Sequence, residues 1–163
     1  MQKTEMSILE ILTEDARTPA SEIAVMLGKE EAEIRETIER LEKQRIILRY
    51  PALINWEKVD IDEVEALIEV RVTPQRDEGF DAIAEQIYRF EEVSSVYLMS
   101  GAYDLMLIVE GKNIRAVSRF VSERLSILDN VQSCATHFIL KRYKTDGVIF
   151  EKQPGDKRMV VSL

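Results

Sequence analysis

Two stretches of the 163-residue chain gather side chains whose types and spacing suit binding. The first, residues 29–44, reads KEEAEIRETIERLEKQ and sets six glutamates against four basic residues. Ile34, Ile38 and Leu41 recur at i, i+4 and i+7, the stripe of a helix. At 100° per residue, Ala32, Glu36, Glu39 and Lys43 stand roughly opposite that stripe, with Glu33, Arg35 and Arg40 on its flanks. Ala32 is small enough to let a ligand's surface come close. Arg35 can donate to a guanine or a phosphate, and a glutamate can accept from a cytosine amino group. Glu31 with Arg35, Glu36 with Arg40 and Glu39 with Lys43 form i, i+4 pairs in the favourable order, each worth roughly 0.2–0.5 kcal/mol. Glu33 is then the least compensated acid. The candidate contact set is Glu31, Ala32, Arg35, Glu36, Thr37, Arg40 and Lys43, although a charged helix taken alone is more often a solvated face.

The second stretch is SGAYD, residues 100–104. Gly101 lets a ligand carboxylate approach backbone N–H groups, Asp104 can hold an α-ammonium, and Tyr103 offers a ring edge and a hydroxyl. Ser100, and Thr136 further along, can add hydrogen bonds. The competing reading is a plain hairpin in which Gly101 only makes the turn and Asp104 only bonds local backbone.

Other chemistries find little support. His137 is the single histidine and Cys134 the single cysteine. On one strand, three residues apart, they point to opposite faces, so a metal pair is not expected. No nucleophile–histidine–acid set and no phosphate-cradling glycine loop can be assembled. Glu91 and Glu92 read as a solvated helix end. The expected protein is therefore not an enzyme and has no metal or cofactor. The lone cysteine and the lack of a signal or spanning segment point to a soluble, cytoplasmic chain without membrane contact. A net charge of -8 argues against non-specific adhesion to nucleic acid or anionic lipid.

The elements that position these stretches form two groups. Residues 1–50 read as three short helices: Ile8, Leu9, Ile11 and Leu12 give the first its apolar side. Thr18 before Pro19 caps the second, and Gly28 ends it. The third starts within a residue or two of Gly28. Helix, glycine turn and amphipathic helix outline a helix-turn-helix. Residues 46–56, IILRYPALINW, turn β-branched and aromatic and read as a hinge strand, so residues 51–63 are the linker.

From residue 64 the pattern changes. Val64, Ala66, Ile68, Val70 and Val72 alternate with Glu65, Glu69 and Arg71, the period of a half-buried strand. A helix follows on Phe80, Ile83, Ala84, Ile87 and Phe90. Residues 93–99 and 103–109 are strands joined by a short SGA turn. Asn113 caps a helix with inner face Ile114, Val117, Val121, Leu125 and Leu128, and residues 131–144 form a last long strand. The order βαββαβ over residues 64–145 is ferredoxin-like, with one sheet face left open and Ala135, His137 and Ile139 in need of a partner copy. Residues 146–163 are a tail that adds a strand to a neighbour or frays. The expected fold class is α+β: a winged helix-turn-helix domain and a ferredoxin-like sensing domain.

In this order and size, ILEILTEDARTPASEIAVMLG, IERLEKQRII, RYPALIN and SGAYDLMLIVEG together resemble the Lrp/AsnC (leucine-responsive/asparagine-type) transcriptional regulators of bacteria and archaea. The resemblance covers nearly the whole chain. It implies double-stranded DNA as partner, a small amino-acid effector, and homodimers that assemble further, often as a ring of four dimers. Many members carry serine where this chain has Glu30, a basic residue where it has Thr37, and glycine where it has Arg45. Residues 1–50 hold eight Lys/Arg and eleven Asp/Glu, a net of -3. That balance keeps open an alternative, an oligomeric amino-acid sensor with weakened DNA binding that acts through protein partners.

Overall fold

A computed structural model of the chain describes residues 3–59, 63–74 and 79–150. The chain divides into two compact units, Met1–Ile54 and Asn55–Leu163. No helix among the described residues is long and apolar enough to cross a membrane.

The first unit is built from α1 (Lys3–Glu14), α2 (Ala20–Leu27) and α3 (Glu31–Lys43). Ile8, Ile23, Ala24 and Ile34 form its buried centre, and Ile11, Leu12, Leu27 and Ile38 pack around them. Removing each large aliphatic from water contributes about 1.5–3 kcal/mol, so the α3 stripe fixes which face of that helix is left outside. Gly28 closes α2 in the left-handed conformation, φ 62°, and Lys29 N–H reaches back to the Ala24 carbonyl. The expected Thr18 cap is not formed. Pro19 occupies the cap position without a side-chain bond, and the Thr18 hydroxyl donates backward to the Asp15 carbonyl at 2.8 Å. Proline's carbonyl can still accept the first helical N–H groups, from Glu22 and Ile23.

Arg45 ends α3 at φ 57°. Ile46 N–H donates to the Leu41 carbonyl and Arg45 N–H to the Glu42 carbonyl, the paired bonds of a Schellman stop, whose left-handed residue is ordinarily glycine. Residues 46–56, expected as a strand, form none, and no wing hairpin follows α3 among the described residues. A strand needs a neighbour for its N–H and C=O groups, the first unit offers only helices, and Pro51 has no N–H at all. Leu48 is left 71% exposed.

The second unit carries β1 (Val64–Val72), α4 (Asp81–Tyr88), β2 (Val93–Leu98), β3 (Leu105–Gly111), α5 (Ile114–Phe120) and β4 (Val131–Phe138). The sheet runs β2-β3-β1-β4, every neighbour antiparallel, which is the ferredoxin-like arrangement. Ala66, Ile68, Val70 and Val72 of β1 are buried with Leu105, Leu107 and Val109 of β3 against Ile83 and Ile87 of α4 and Val117 and Phe120 of α5. The other face presents Leu67, Glu69, Met106, Ile108, Ala135 and His137, which the register sets side by side.

Three details depart from expectation. Α short SGA turn does not join β2 to β3; the connection spans residues 99–104. Of the expected inner face of α5 and the turn after it, Val117 and Leu125 are buried and Val121 and Leu128 pack against them, joined by Phe120, while Ile114 is 56% exposed. A π turn over Val121–Leu125 absorbs the five-residue step from Phe120 to Leu125, and the helix first meets the sheet at Gly111. The last strand stops at Phe138, where it faces Ala66 near the start of β1. Beyond it, β5 (Lys144–Thr145) and β6 (Val148–Ile149) make a small hairpin around Asp146 and Gly147 at φ 47° and 81°. The apolar end of the expected tail, residues 159–163, and residues 60–62 of the linker lie outside the described residues.

Two substitutions test these backbone assignments in opposite directions. Arg45→Gly relieves a left-handed residue at the cost of a floppier unfolded chain, so it raises stability by about 0.5–1 kcal/mol. A Cβ on Gly111 would stand 2.9 Å from Val117 Cγ2, and Val117 has little χ1 freedom in a helix. Gly111→Ala therefore lowers stability by about 1–2 kcal/mol, both read from urea unfolding midpoints.

Candidate functional site

On α3 the inward stripe leaves Glu31, Ala32, Arg35, Glu36 and Glu39 around one shallow depression on the outer face. Glu30 is the cap residue, with no side-chain bond to the first turn. The ion pairing differs from the sequence expectation. Arg35 is held by Glu31 and Lys43 reaches Glu39 at 4.0 Å, as the spacing implies. Arg40, however, turns away from Glu36 and donates to Glu5 of α1 at 2.7 Å. Glu5 is only 7% exposed, and a nearly buried carboxylate outcompetes a solvated one for a guanidinium because it has less water to lose. Glu33, expected as the least compensated acid, pairs with Lys29 at 2.9 Å. Glu36 takes that position. The Thr37 hydroxyl donates to the Glu33 carbonyl at 2.8 Å and so lies along its own helix.

The structure thus gathers Glu31, Ala32, Arg35 and Glu36, and leaves Thr37, Arg40 and Lys43 outside the depression. Sequence reading missed Glu5, although the signal was there: it precedes Ile8 by three residues, in phase with the buried side of α1. Beyond the helix, the Tyr50 hydroxyl donates to Glu42 at 2.7 Å. Burial, and then the Glu42 carboxylate, push that phenol up to about 12.

The loop between β2 and β3 is closed by Met99 N–H donating to the Asp104 carbonyl at 2.8 Å. Asp104 also donates its N–H to the Val70 carbonyl at 3.1 Å and accepts from Val72 N–H on Oδ2 at 2.9 Å. It therefore clamps the loop to the end of β1. Ser100 and Gly101 are exposed. Gly101 has no left-handed φ, and a Cβ there would meet nothing within 4 Å, so neither turn geometry nor crowding within the chain calls for glycine. The Tyr103 hydroxyl lies 3.9 Å from Met106 Sδ. Thr136 does not join them: it pairs with Ile68 on the helix-covered side of the sheet.

Cys134 and His137 do point to opposite faces, Cys134 opposite Val70 on the core side and His137 opposite Leu67 on the open side. Burial pushes the Cys134 thiol up, against a smaller lowering from the Ser126 hydroxyl. His137 Nε2 lies 3.4 Å from Glu69 Oε1. Glu92 is not a solvated end, because it accepts from Arg124 at 2.5 Å while that guanidinium covers the Phe90 ring at 4.5 Å.

Comparison with known families settles what this pair of units is. Residues 1–42 match the AsnC-type helix-turn-helix domain, and residues 65–149 match the Lrp/AsnC ligand binding domain. The chain belongs to the Lrp/AsnC family. Its relatives in that family include the uncharacterized HTH-type transcriptional regulator YugG of Bacillus subtilis, 52% identical over 99% of this chain and 98% of that one. The HTH-type transcriptional regulator LrpA of Pyrococcus abyssi is 33% identical over 84% and 94%. Among solved structures, the Neisseria meningitidis regulator NMB0573 in complex with L-Met superposes with a TM-score of 0.71 at 26% identity, over 89% of this chain and 93% of that one. Like these Lrp/AsnC proteins, the chain is a DNA-binding transcriptional regulator.

The two arginines of α3 differ in what they hold: Arg40 ties the helix to α1, whereas Arg35 pairs only with Glu31 on its own helix. Arg40→Ala takes the Arg40 guanidinium away from the nearly buried Glu5 carboxylate and costs about 1–2 kcal/mol of stability, measured by urea unfolding. Arg35→Ala, which removes only an exposed pair with Glu31, changes stability by less than about 0.5 kcal/mol.

Proposed function

We propose that α3 enters the major groove with its outer face, that the loop 99–104 takes an amino-acid effector, and that two copies of the chain join through the open sheet face. The observation that carries the DNA reading is the depression on α3, where Arg35 is presented by Glu31 beside the small Ala32. Glu31, Glu36, Thr37, Arg40 and Lys43 complete the proposed contact surface, with Arg40 acting mainly through Glu5. For the effector, Gly101 is a glycine that the chain itself does not require, next to Ser100, Tyr103 and Asp104. An α-ammonium would meet Asp104 while the carboxylate met the Gly101 backbone. The L-Met complex of the Neisseria relative supports an amino acid as the ligand class. Thr136 would contribute only from the far side of β1.

The dimer reading rests on the half-buried Leu67, Met106 and Ile108 with exposed Tyr97 on one face, an apolar surface that a second copy would cover. Such dimers, assembling further towards an octamer, would let several weak helices bind linked half-sites, where avidity replaces single-site affinity. Effector bound between sensing units would then change the spacing of the DNA-binding units. The acids around the depression argue against tight binding by any single helix, and one measurement tests the groove-binding reading. Titrated against its own upstream duplex, the full-length protein should bind less tightly as salt rises, in proportion to the phosphates it neutralises. A flat salt dependence would rule out the groove-binding reading.

The effector reading has its own check. An amino acid at about 100 times its Kd stabilises the protein by about 2.7 kcal/mol, a rise of several degrees in melting temperature. A panel of amino acids at millimolar concentration that leaves the melting temperature unchanged would sink it.

A further inference from the structure

We infer that Glu36 fixes one base of the operator, accepting a hydrogen bond from the amino group of a cytosine in the major groove. The inference rests on the proposed placement of α3 in that groove. Glu36 is exposed on the outer face, and its natural i+4 partner, Arg40, is committed to Glu5 on α1. The other cations of α3 are taken too: Arg35 by Glu31, and Lys43 by Glu39. Among the described residues no cation reaches the Glu36 carboxylate. The fold has thus left a bare negative charge in the middle of the surface that meets a polyanion.

That charge is repelled by phosphates and by every acceptor on the base edges. The guanine O6 and N7, the thymine O4 and the adenine N7 are all acceptors in the major groove. Cytosine offers only the N4 donor there, whereas adenine sets its N6 donor beside the repelling N7. Cytosine is therefore the one base whose major-groove edge suits an unpaired carboxylate. Arg35, at the neighbouring position of the same depression and held by Glu31, presents the opposite chemistry, donors for guanine O6 and N7. Glu31 is then a positioning residue. The acid buys discrimination through penalty: it weakens binding to non-cognate sequence more than it strengthens binding to the right one.

Selection of bound duplexes from a random-core library by the full-length protein tests this. The wild type should enrich sites with a fixed cytosine, preferred over other bases by the order of tenfold. Glu36→Gln should move that position towards adenine, which glutamine pairs with through N6 and N7. Glu36→Ala should erase the preference there, and both variants should keep the rest of the site while binding random DNA more tightly. If the wild type and Glu36→Gln enrich the same sites with the same preferences, Glu36 reads no base and the inference fails alone. If the wild type enriches no sequence at all, the groove placement of α3 fails and takes the inference with it.

Discussion

The second unit hangs on one strand. β1 lies between β3 and β4, so its backbone is paired on both edges and only its two faces and two ends remain to be used. One face, Ala66 to Val72 at every second residue, makes the core. The far end carries Asp104, which binds the Val70 carbonyl and the Val72 amide. At the near end, Ile139 N–H donates to the Glu65 carbonyl, and Arg142 ion-pairs with the Glu65 side chain. Both the candidate effector loop and the chain leaving β4 are thereby set by the register of a single period-two segment. A one-residue slip of β1 would turn its core side chains to the open face and detach both.

In the first unit the corresponding constraint is electrostatic. A carboxylate placed on the buried side of α1 has to find a cation, and the guanidinium that meets it belongs to α3. That choice propagates. Arg40 leaves Glu36, Glu36 loses its neutralising partner, and the outer face of α3 becomes more acidic at its centre than the local sequence implies. At the helix start Lys29 offsets Glu33 instead. The net charge of the surface is unchanged, but its distribution is set by a residue that lies outside the surface altogether.

What the sequence made legible follows from the range of the forces involved. The stripe of α3, the alternation of β1, the Gly28 stop and the Asn113 cap, whose side chain accepts from Ala116 N–H, are local periodicities or local bonds. The order βαββαβ follows from them. The missed features depend on partners distant in the chain or on a competing local bond. The allegiance of Arg40 is decided thirty-five residues away. The expected strand over residues 46–56 has β-forming residues and no strand to pair with. Phe120 joins the inner face of α5 beside the expected Val117, while Ile114, in the first turn beside the Asn113 cap, stays in solvent. Thr18 had two places to bond, and the backward one won. The hairpin at Asp146 and Gly147 was readable, since an aspartate–glycine pair is a strong signal for a tight turn. Of the two sites, the outer face of α3 was legible as a surface but not as a charge pattern. The loop residues 100, 101, 103 and 104 come together as a contiguous run, whereas Thr136 faces away from them.

Asp104 holds a further consequence. A carboxylate has two oxygens, and here Oδ2 is engaged by the amide that ends β1. Under the proposed effector site, the second oxygen is the one a ligand's ammonium would meet, so folding and recognition draw on separate atoms of one side chain. On that proposal, altering Ser100, Ala102 or Tyr103 would change specificity without loosening the sheet. The acid itself would have no such freedom, because replacing it gives up a strand end together with the proposed binding group. Evolution of a new effector would therefore proceed around Asp104 rather than through it.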